Sequence, residues 1–344
     1  MRGSKHKLGL GVLALAAASA AVSYGVYRRD LAAARARLAG ASELVTTPCG
    51  PIEYAAVGTG PPILLVHGAG GGFDQGVAIG APLAARGHRV IAMSRFGYLR
   101  TPLPTDASAA AQGDAHECLL DAVGLDRAAV IGVSAGAPSA LQLAVRHPER
   151  VSALVLMVPA AFVPRQDGAA PVRTPPGTLQ LFDTALKSDF LFWAIRRAAP
   201  NLMIRGLLGT PPELVARATS AEQERLAAML DQILPVTDRR VGLLNDAVVT
   251  AQIERYPLER ITAPTLTISA ADDLYGTYDA ARYSAEQIPG ARFIGYPDGG
   301  HMLVGRNADV TSSIAEFLAA ADDAGGIALQ RDALPIAALR VPQQ

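Results

Sequence analysis

This chain of 344 residues is poor in the features that mark several common protein classes. It has two cysteines, Cys49 and Cys118, which are too few for a disulfide framework and lack the spacing of zinc ligands. Basic and acidic residues number 31 each, so the basic excess typical of nucleic-acid-binding proteins is missing. Charged residues make up only 18% of the chain and apolar residues half of it, which excludes a disordered protein.

The length and apolar content predict one large folded domain or two smaller ones, with a sizeable core. The charge, however, is unevenly distributed along the chain. Residues 1–45 contain seven Lys or Arg and two acids, a net charge of +5, so the rest of the chain carries −5. These parts are therefore predicted to be two different physical units, a basic N-terminal segment and an acidic globular body.

An apolar run, LGLGVLALAAASAAVSYGVY, occupies residues 8–27 without a single charge. As a helix it would extend about 30 Å, the thickness of the hydrocarbon core of a bilayer. With basic residues on both sides, it predicts a single-pass membrane anchor followed by a basic linker to residue 45. A cleaved signal peptide, with Ala18-Ser19-Ala20 as cleavage site, and a buried helix remain as alternatives. We expect a membrane-anchored or exported protein, with the side of the membrane left open because the flanking charges nearly balance.

From residue 46 onward, short apolar runs alternate with helical stretches. The runs are mostly continuous and rich in β-branched residues, as in strands buried on both faces of a parallel sheet. This pattern predicts an open α/β sheet with helices on both of its faces. The predicted strands are 52–57, 62–68, 88–94, 128–134, 151–159, 264–270 and 291–297, and the predicted helices between them are 75–86, 107–123, 136–147, 279–288 and 309–322.

The alternation breaks after the fifth predicted strand. Amphipathic helical runs there predict a helical cap over residues 161–259, inserted between core segments 46–160 and 260–325, and residues 326–344 are predicted to be a weakly patterned tail. Four of the 18 aromatic residues fall in this cap: Phe182, Phe190, Phe192 and Trp193. Two interpretations stay open. The rings pack the cap onto the core, or Phe182 and Trp193, with Met302 from the core, line a substrate pocket.

The strongest functional signal is the sequence Gly132-Val133-Ser134-Ala135-Gly136. It lies between a predicted strand and a predicted helix, which is the context of the G-x-S-x-G nucleophile elbow. The glycines allow a tight turn, the serine projects at the carboxyl edge of the sheet, and the helix N-terminus favours developing negative charge. We therefore predict that Ser134 is a nucleophile.

A serine nucleophile requires a base, and the sequence predicts His301 for this role. His301 follows a predicted strand in the Gly-rich loop DGGHM, whereas most other histidines lie at turns, in a helix or in the basic N-terminus. The acid that orients the base is expected after the strand TLTISA, where Asp272 and Asp273 stand side by side. Asp273 is the preferred acid and Asp272 the alternative.

A second Gly-rich loop, HGAGGG over residues 67–72, follows the predicted strand PILLV. Glycines let the backbone approach a ligand closely, and free N–H groups in such a loop can face an oxyanion. The amide of Ala135, together with that of Ala69 or Gly70, is predicted to form an oxyanion hole. A phosphate-binding P-loop is disfavoured because no G-K-[ST] follows.

These motifs, over about residues 50–320, resemble those of the α/β-hydrolase superfamily. The shared features are HGAGGG after one strand, SRFGYLRTP after the next, GVSAG at the elbow, AADD at the acid turn, and GGH. The resemblance implies a mostly parallel sheet of about eight strands with a helical cap between strands six and seven, and it supports Asp273 as the acid. Among members of the superfamily, the chain looks most like cap-bearing carboxylesterases, meta-cleavage C–C hydrolases and serine perhydrolases.

The sequence therefore predicts a serine hydrolase that cleaves an ester-like bond of a hydrophobic small molecule through Ser134, His301 and Asp273, without a metal or organic cofactor. No nucleic-acid partner is expected. Two alternatives stay open: C–C bond hydrolysis of meta-cleavage type or perhydrolysis, and non-catalytic ligand binding by a membrane-tethered protein that kept the triad. C–C hydrolysis would need a cation for the substrate carboxylate, and the arginines considered for it are Arg95, Arg197 and Arg205.

Overall fold

The computed structural model describes residues 2–164, 183–184 and 186–325, and it describes their side chains except for those of 2–16 and 323–325. The strands are β1 Glu43–Thr47, β2 Gly50–Val57, β3 Pro62–Val66, β4 Arg89–Met93, β5 Ala128–Val133, β6 Val151–Met157, β7 Thr265–Ala270 and β8 Arg292–Tyr296. They form one eight-stranded sheet in the order β1-β2-β4-β3-β5-β6-β7-β8. The β1–β2 and β2–β4 pairings are antiparallel and the other five are parallel, so the predicted mostly parallel sheet is confirmed.

Helices cover both faces of this sheet. They are α1 Arg2–Leu38, α2 Phe73–Ala84, α3 Ala109–Ala122, α4 Ala137–Arg146, α5 Asp189–Ala198, α6 Pro200–Leu207, α7 Pro212–Arg217, α8 Ser220–Gln232, α9 Arg240–Ala251, α10 Thr277–Gln287 and α11 Asn307–Gly325. Strands β3 and β5 have no exposed residue, because their apolar side chains are covered on both sides. Apolar residues of α3 and α4 pack on one face, and those of α2 and α11 on the other.

Strand β1 differs from the prediction, which has a basic linker up to residue 45. It forms the edge of the sheet and pairs only with β2, from Glu43 opposite Tyr54 to Thr47 opposite Gly50. Its sequence, ELVTT, is short and half polar, so its apolar pattern is weak. Pairing across the tight turn to β2 decides its conformation.

The chain leaves the sheet after β6 and returns at β7, and helices α5 to α9 lie in this interval. Their apolar sides form a cluster separate from those on the two faces of the sheet, which includes Phe192, Trp193, Met203, Leu226 and Leu243. Part of the predicted cap, residues 165–182 with Phe182, lies outside the described residues, as does the predicted tail 326–344.

The N-terminal helix α1 is continuous from Arg2 to Leu38. In the part of the chain that the structure describes, none of the helices has an apolar stretch that would reach across a membrane. The apolar run predicted as an anchor begins at residue 8, and the side chains of 8–16 lie outside the described set.

The second half of α1 packs against the cap. Leu31 and Ala34 are only 6% and 3% exposed, and Ala34 belongs to the same apolar cluster as Trp193. The carboxylate of Asp30 accepts a hydrogen bond from the indole N–H of Trp193 at 3.0 Å. The expected linker up to residue 45 is thus replaced by the docked end of α1 and by β1.

Cys49 and Cys118 are joined in a disulfide bond, with their Cα atoms 6.1 Å apart. The bond links the turn between β1 and β2 to helix α3, across a sequence separation of 69 residues. The positions of the two cysteines in the sequence do not indicate this pairing, since only the fold brings the sheet edge next to α3.

We expect reduction of this disulfide to destabilise the protein. A cross-link over a long loop restricts the unfolded chain, and loss of a native disulfide lowers the free energy of unfolding by about 2–5 kcal/mol. Thermal unfolding should therefore show a lower Tm with a reductant than without. The double variant Cys49→Ser, Cys118→Ser should have the Tm of the reduced wild type, both with and without reductant. A wild-type Tm that does not respond to reductant would contradict the prediction.

Candidate active site

Ser134 stands on the sharp turn that joins β5 to α4. Its φ of 51° lies in the left-handed region, which residues other than glycine rarely adopt. A Cβ atom at Gly136 would lie 2.5 Å from the carbonyl oxygen of His67, and one at Gly132 would lie 2.7 Å from the Cβ of Ala140. Glycine is therefore required on both sides of the serine, and the strained turn presents the Ser134 hydroxyl at the edge of the sheet.

The structure brings Ser134, His301 and Asp273 together. Nε2 of His301 lies 2.8 Å from Oγ of Ser134, and Nδ1 of His301 lies 2.8 Å from Oδ2 of Asp273. His301 and Asp273 are each 7% exposed. Asp273 also accepts hydrogen bonds from the hydroxyl of Thr277 and the amide of Tyr275. The carboxylate can thus hold the imidazole with Nδ1 protonated, which leaves Nε2 free to take the serine proton.

The neighbouring carboxylate, Asp272, makes a different contact. Its Oδ1 accepts a hydrogen bond from the amide of Gly300 at 2.7 Å. Asp272 therefore fixes the loop that carries His301, and it does not contact the imidazole. The geometry selects Asp273 over Asp272 as the partner of the base.

A short cap segment, residues 208–211, holds the acid loop and the base loop together. The carbonyl oxygen of Gly209 accepts the amide of Leu274 at 2.9 Å and that of His301 at 3.3 Å. The hydroxyl of Thr210 accepts the amide of Met302 at 3.1 Å. The sequence motifs do not indicate this segment, because Gly-Thr-Pro-Pro at residues 209–212 signals only a turn.

The amides predicted for the oxyanion hole are not equivalent. The amide of Gly70 donates to the hydroxyl of Tyr98 at 3.1 Å, so it is already engaged. Ala69 and Ala135 line the cavity beside Ser134, and the N–H of Ala69 has no acceptor among the described residues. The geometry therefore favours Ala69 over Gly70 as the partner of Ala135.

Behind this loop, buried polar side chains join it to the cap. Arg95 forms a bidentate ion pair with Asp246 of α9, at 2.6 and 2.7 Å, and its Nε donates to the carbonyl oxygen of His67 at 2.9 Å. Tyr98 donates its hydroxyl to the same carboxylate. Burial and the charge of Arg95 hold the pKa of His67 well below its usual value, so the ring is neutral and its Nε2 accepts the Arg95 amide at 3.0 Å. His67 shapes the loop and does not titrate near neutral pH.

A cavity of about 600 Å³ lies above Ser134, between the core and the cap. Its walls are mainly apolar and include Val158, Leu208, Met229, Ile233, Leu243, Ile253 and Met302. No lysine or arginine is found among the described residues that line it, and the carboxylate there, Asp246, is paired with Arg95.

The residues predicted to line the pocket divide into three cases. Met302 does line the cavity. Trp193 does not, because its indole is 5% exposed and packs against α1, where it donates to Asp30. Phe182 lies outside the described residues.

The structure also shows where the arginines considered for carboxylate binding lie. Arg95 pairs with Asp246 at 2.6 Å, Arg197 with Asp30 at 2.9 Å, and Arg205 lies 3.9 Å from Glu213. None of the three lines the cavity. Each of the three guanidinium groups therefore has a carboxylate within 4 Å.

Within the described ranges, one group of side chains carries metal-ligand atoms close together: Glu117, His147 and Glu149. It does not line the cavity. Both ring nitrogens of His147 already contact carboxylates, Nδ1 that of Glu117 at 3.1 Å and Nε2 that of Asp114 at 2.7 Å. These contacts account for the group without a metal.

The fold and the geometry of the site define the class of this protein as an α/β hydrolase. The family model for the alpha/beta hydrolase fold matches residues 61–308, and the chain belongs to this family. The resemblance that the sequence motifs carry is thus confirmed.

Individual relatives cover most of the chain. It is 27% identical over 282 residues to the uncharacterized hydrolase YcgS of Bacillus subtilis, covering 79% of this chain and 96% of that protein. It is 27% identical over 275 residues to 2-hydroxy-6-oxononadienedioate/2-hydroxy-6-oxononatrienedioate hydrolase 1 of Dechloromonas aromatica, covering 75% and 86%. A solved α/β-hydrolase fold protein from Nakamurella multipartita is similar with a TM-score of 0.61 and 28% identity, covering 80% of this chain and 98% of that one.

We expect Asp273→Asn to lower kcat for an activated ester by about 10⁴-fold, since an amide would favour the wrong tautomer of the imidazole. Asp272→Asn is the matched control. It keeps an oxygen acceptor for the amide of Gly300 and should leave kcat nearly unchanged. Steady-state kinetics of both folded variants test the assignment, and a larger loss in Asp272→Asn would reverse it.

Proposed function

We propose that this protein is a serine hydrolase that cleaves an ester-like bond in an uncharged, hydrophobic small molecule. The observation that carries the proposal is the hydrogen-bonded chain from Ser134 through His301 to Asp273, with 2.8 Å at both links, beside an apolar cavity. This arrangement suits acyl transfer, because a nucleophile, a base and an orienting acid are in contact. The amide of Ala69, which has no acceptor among the described residues, lies beside them.

In the proposed mechanism, the hydroxyl oxygen of Ser134 attacks the substrate carbonyl carbon while Nε2 of His301 takes the proton. The amides of Ala69 and Ala135 donate to the resulting oxyanion, and loss of one such donor raises the barrier by about 2.7–4 kcal/mol. His301 then gives its proton to the leaving oxygen, while Asp273 stabilises the imidazolium. Water, deprotonated by the same imidazole, attacks the acyl-enzyme and releases the acid and free Ser134.

Hydrolysis of a C–C bond is the second candidate, and the Dechloromonas relative favours it. That protein is named for dioates, substrates with two carboxylates. The described lining of this cavity has no lysine or arginine and includes the carboxylate of Asp246. Because burying a carboxylate without a partner is costly, the cavity favours a neutral ester over such a dianion.

Two features support a location for this activity. The apolar run 8–27 is typical of an N-terminal anchor or an export signal. The disulfide between Cys49 and Cys118 belongs to a class of bonds that is rare in the reducing cytosol and common in secreted and periplasmic proteins. We propose that the hydrolase body works on the oxidising side of a membrane, either anchored there or exported.

A fluorophosphonate probe tests the nucleophile directly. It should label the wild-type protein covalently, because the activated hydroxyl of Ser134 attacks phosphorus as it would a carbonyl carbon. Ser134→Ala should remain unlabelled, and heat-denatured wild type serves as the control for non-specific reaction. Equal labelling of wild type and Ser134→Ala would contradict the assignment.

A substrate panel separates the two candidate reactions. We expect turnover of p-nitrophenyl esters of apolar acids and no turnover of a dienoate, because the described cavity lining offers no cation for a carboxylate. Release of p-nitrophenolate and loss of dienoate absorbance are the measurements. Dienoate cleavage without ester cleavage would replace the ester proposal by C–C hydrolysis, and tight binding without turnover of either would indicate a ligand-binding protein.

A further inference from the structure

Helix α1 meets the cap along one face. Tyr27, Leu31 and Ala34 are three or four residues apart and therefore lie on the same side of the helix. Leu31 and Ala34 are buried, and the ring of Tyr27 lies 5.7 Å from that of Trp193 in α5. Arg35, on another side of α1, is exposed.

Asp30 reinforces this contact through charge. Its carboxylate accepts hydrogen bonds from Trp193 at 3.0 Å and Arg197 at 2.9 Å. Burial alone would raise the pKa of Asp30, but the hydrogen bonds from Trp193, Arg197 and Arg29 outweigh it and lower the pKa to about 2. Because docking lowers this pKa, the charged carboxylate stabilises the docked helix at pH values above about 4, the usual carboxyl pKa. This stabilisation is lost as the pH falls toward 2. Docking is therefore favoured at neutral pH.

Arg37, the second-last residue of α1, reaches the end of the cap helix α8. Its Nη2 donates to the carbonyl oxygen of Leu234 at 3.0 Å and to those of Asp231 and Gln232 at 3.4 Å each. The last carbonyl groups of a helix lack partners within it and carry the negative end of its dipole. The guanidinium of Arg37 thus caps α8.

The segment that Arg37 caps touches the oxyanion loop. Ile233 lies within this segment, is 2% exposed, and lines the cavity. Its side chain lies 3.6 Å from the position that a Cβ of Gly70 would occupy. A shift of the α8 end would therefore change the packing beside the neighbouring amide of Ala69.

Arg37 also faces the other support of this loop. Its Nε lies 3.9 Å from the carboxylate of Asp74, which pairs with the buried Arg239 at 2.7 Å. Arg239 in turn donates to the carbonyl oxygen of Gly71 at 2.5 Å. The end of α1 therefore contacts the backbone around Ile233 and the ion-pair partner of Arg239, and these two side chains contact residues 70 and 71.

We propose that the cap-facing side of α1, from Tyr27 to Arg37, supports the active site, and that Arg37 is a positioning residue for the oxyanion loop. By capping α8, Arg37 holds Ile233 against Gly70 and so keeps the amide of Ala69 beside Ser134. The N-terminal helix is then not a detachable tether, in contrast to the separable segment that the charge distribution predicts. The inference rests on the proposed function, because the role assigned to Ala69 belongs to the serine hydrolase mechanism.

The test compares Arg37→Ala, Arg37→Lys and the matched control Arg35→Ala in the full-length chain. We expect Arg37→Ala to lower kcat for an activated ester and the rate of fluorophosphonate labelling by about tenfold. This is less than the roughly 100-fold loss that a 1 Å displacement of a catalytic group can cause. KM should change little, because the oxyanion hole acts in the transition state. Arg37→Lys should recover part of both rates, and Arg35→Ala should match the wild type. Emission of Trp193, the only tryptophan, reports whether α1 stays docked.

Two results would overturn this inference. One is an equal kcat in Arg37→Ala and Arg35→Ala. The other is a lower Tm in Arg37→Ala with unchanged kcat and labelling rate, which would reduce Arg37 to a structural role. If Arg37→Ala does not fold, the labelling rate of Arg37→Lys against Arg35→Ala decides in the same way. A wild type that the probe labels but that cleaves no ester would defeat the proposed substrate class, while the labelling rates would still test the role of Arg37.

Discussion

Two buried ion pairs join the cap to the core, and the geometry of the site depends on them. Arg95 pairs with Asp246 of α9 and donates to the carbonyl oxygen of His67, while Arg239 pairs with Asp74 in the first turn of α2. The four charged side chains are at most 7% exposed, so loss of one partner would leave a buried, unpaired charge, at about 3–5 kcal/mol. A movement of the cap would therefore disturb the loop of residues 67–72.

Similar contacts hold the other groups of the candidate site. Ser134, His301 and Ala69 lie on separate loops at the carboxyl edge of the sheet, and these loops are held by contacts with other parts of the chain. Gly209 of the cap binds the loops of His301 and Asp273, and the end of α8 packs on Gly70. Such preorganisation is what acyl transfer needs, because donors already in place cost no reorganisation when charge develops.

Local constraints made part of the site predictable. The turn at Ser134 requires glycine two residues before and two residues after it, because a Cβ atom at either position would clash. Five consecutive residues are therefore enough to predict this turn. The choice between Asp273 and Asp272 follows from hydrogen bonds that no local pattern encodes. Trp193 shows the limit most clearly: an aromatic residue in an amphipathic helix predicts burial, but the pattern does not say whether it faces a substrate or another helix, and here it faces Asp30 of α1.

The sequence by itself determined the α/β class and the mostly parallel sheet, and it predicted Ser134 as nucleophile and His301 as base, because periodicity and turn chemistry act over a few residues. Tertiary structure decided the disulfide, the carboxylate that contacts His301, the choice of Ala69 over Gly70 as candidate oxyanion donor, and the docking of α1. These depend on contacts between distant residues: Cys49 and Cys118 are 69 positions apart, Asp30 and Trp193 163, and Arg37 and Leu234 197. Only the path of the folded chain brings such pairs within bonding distance.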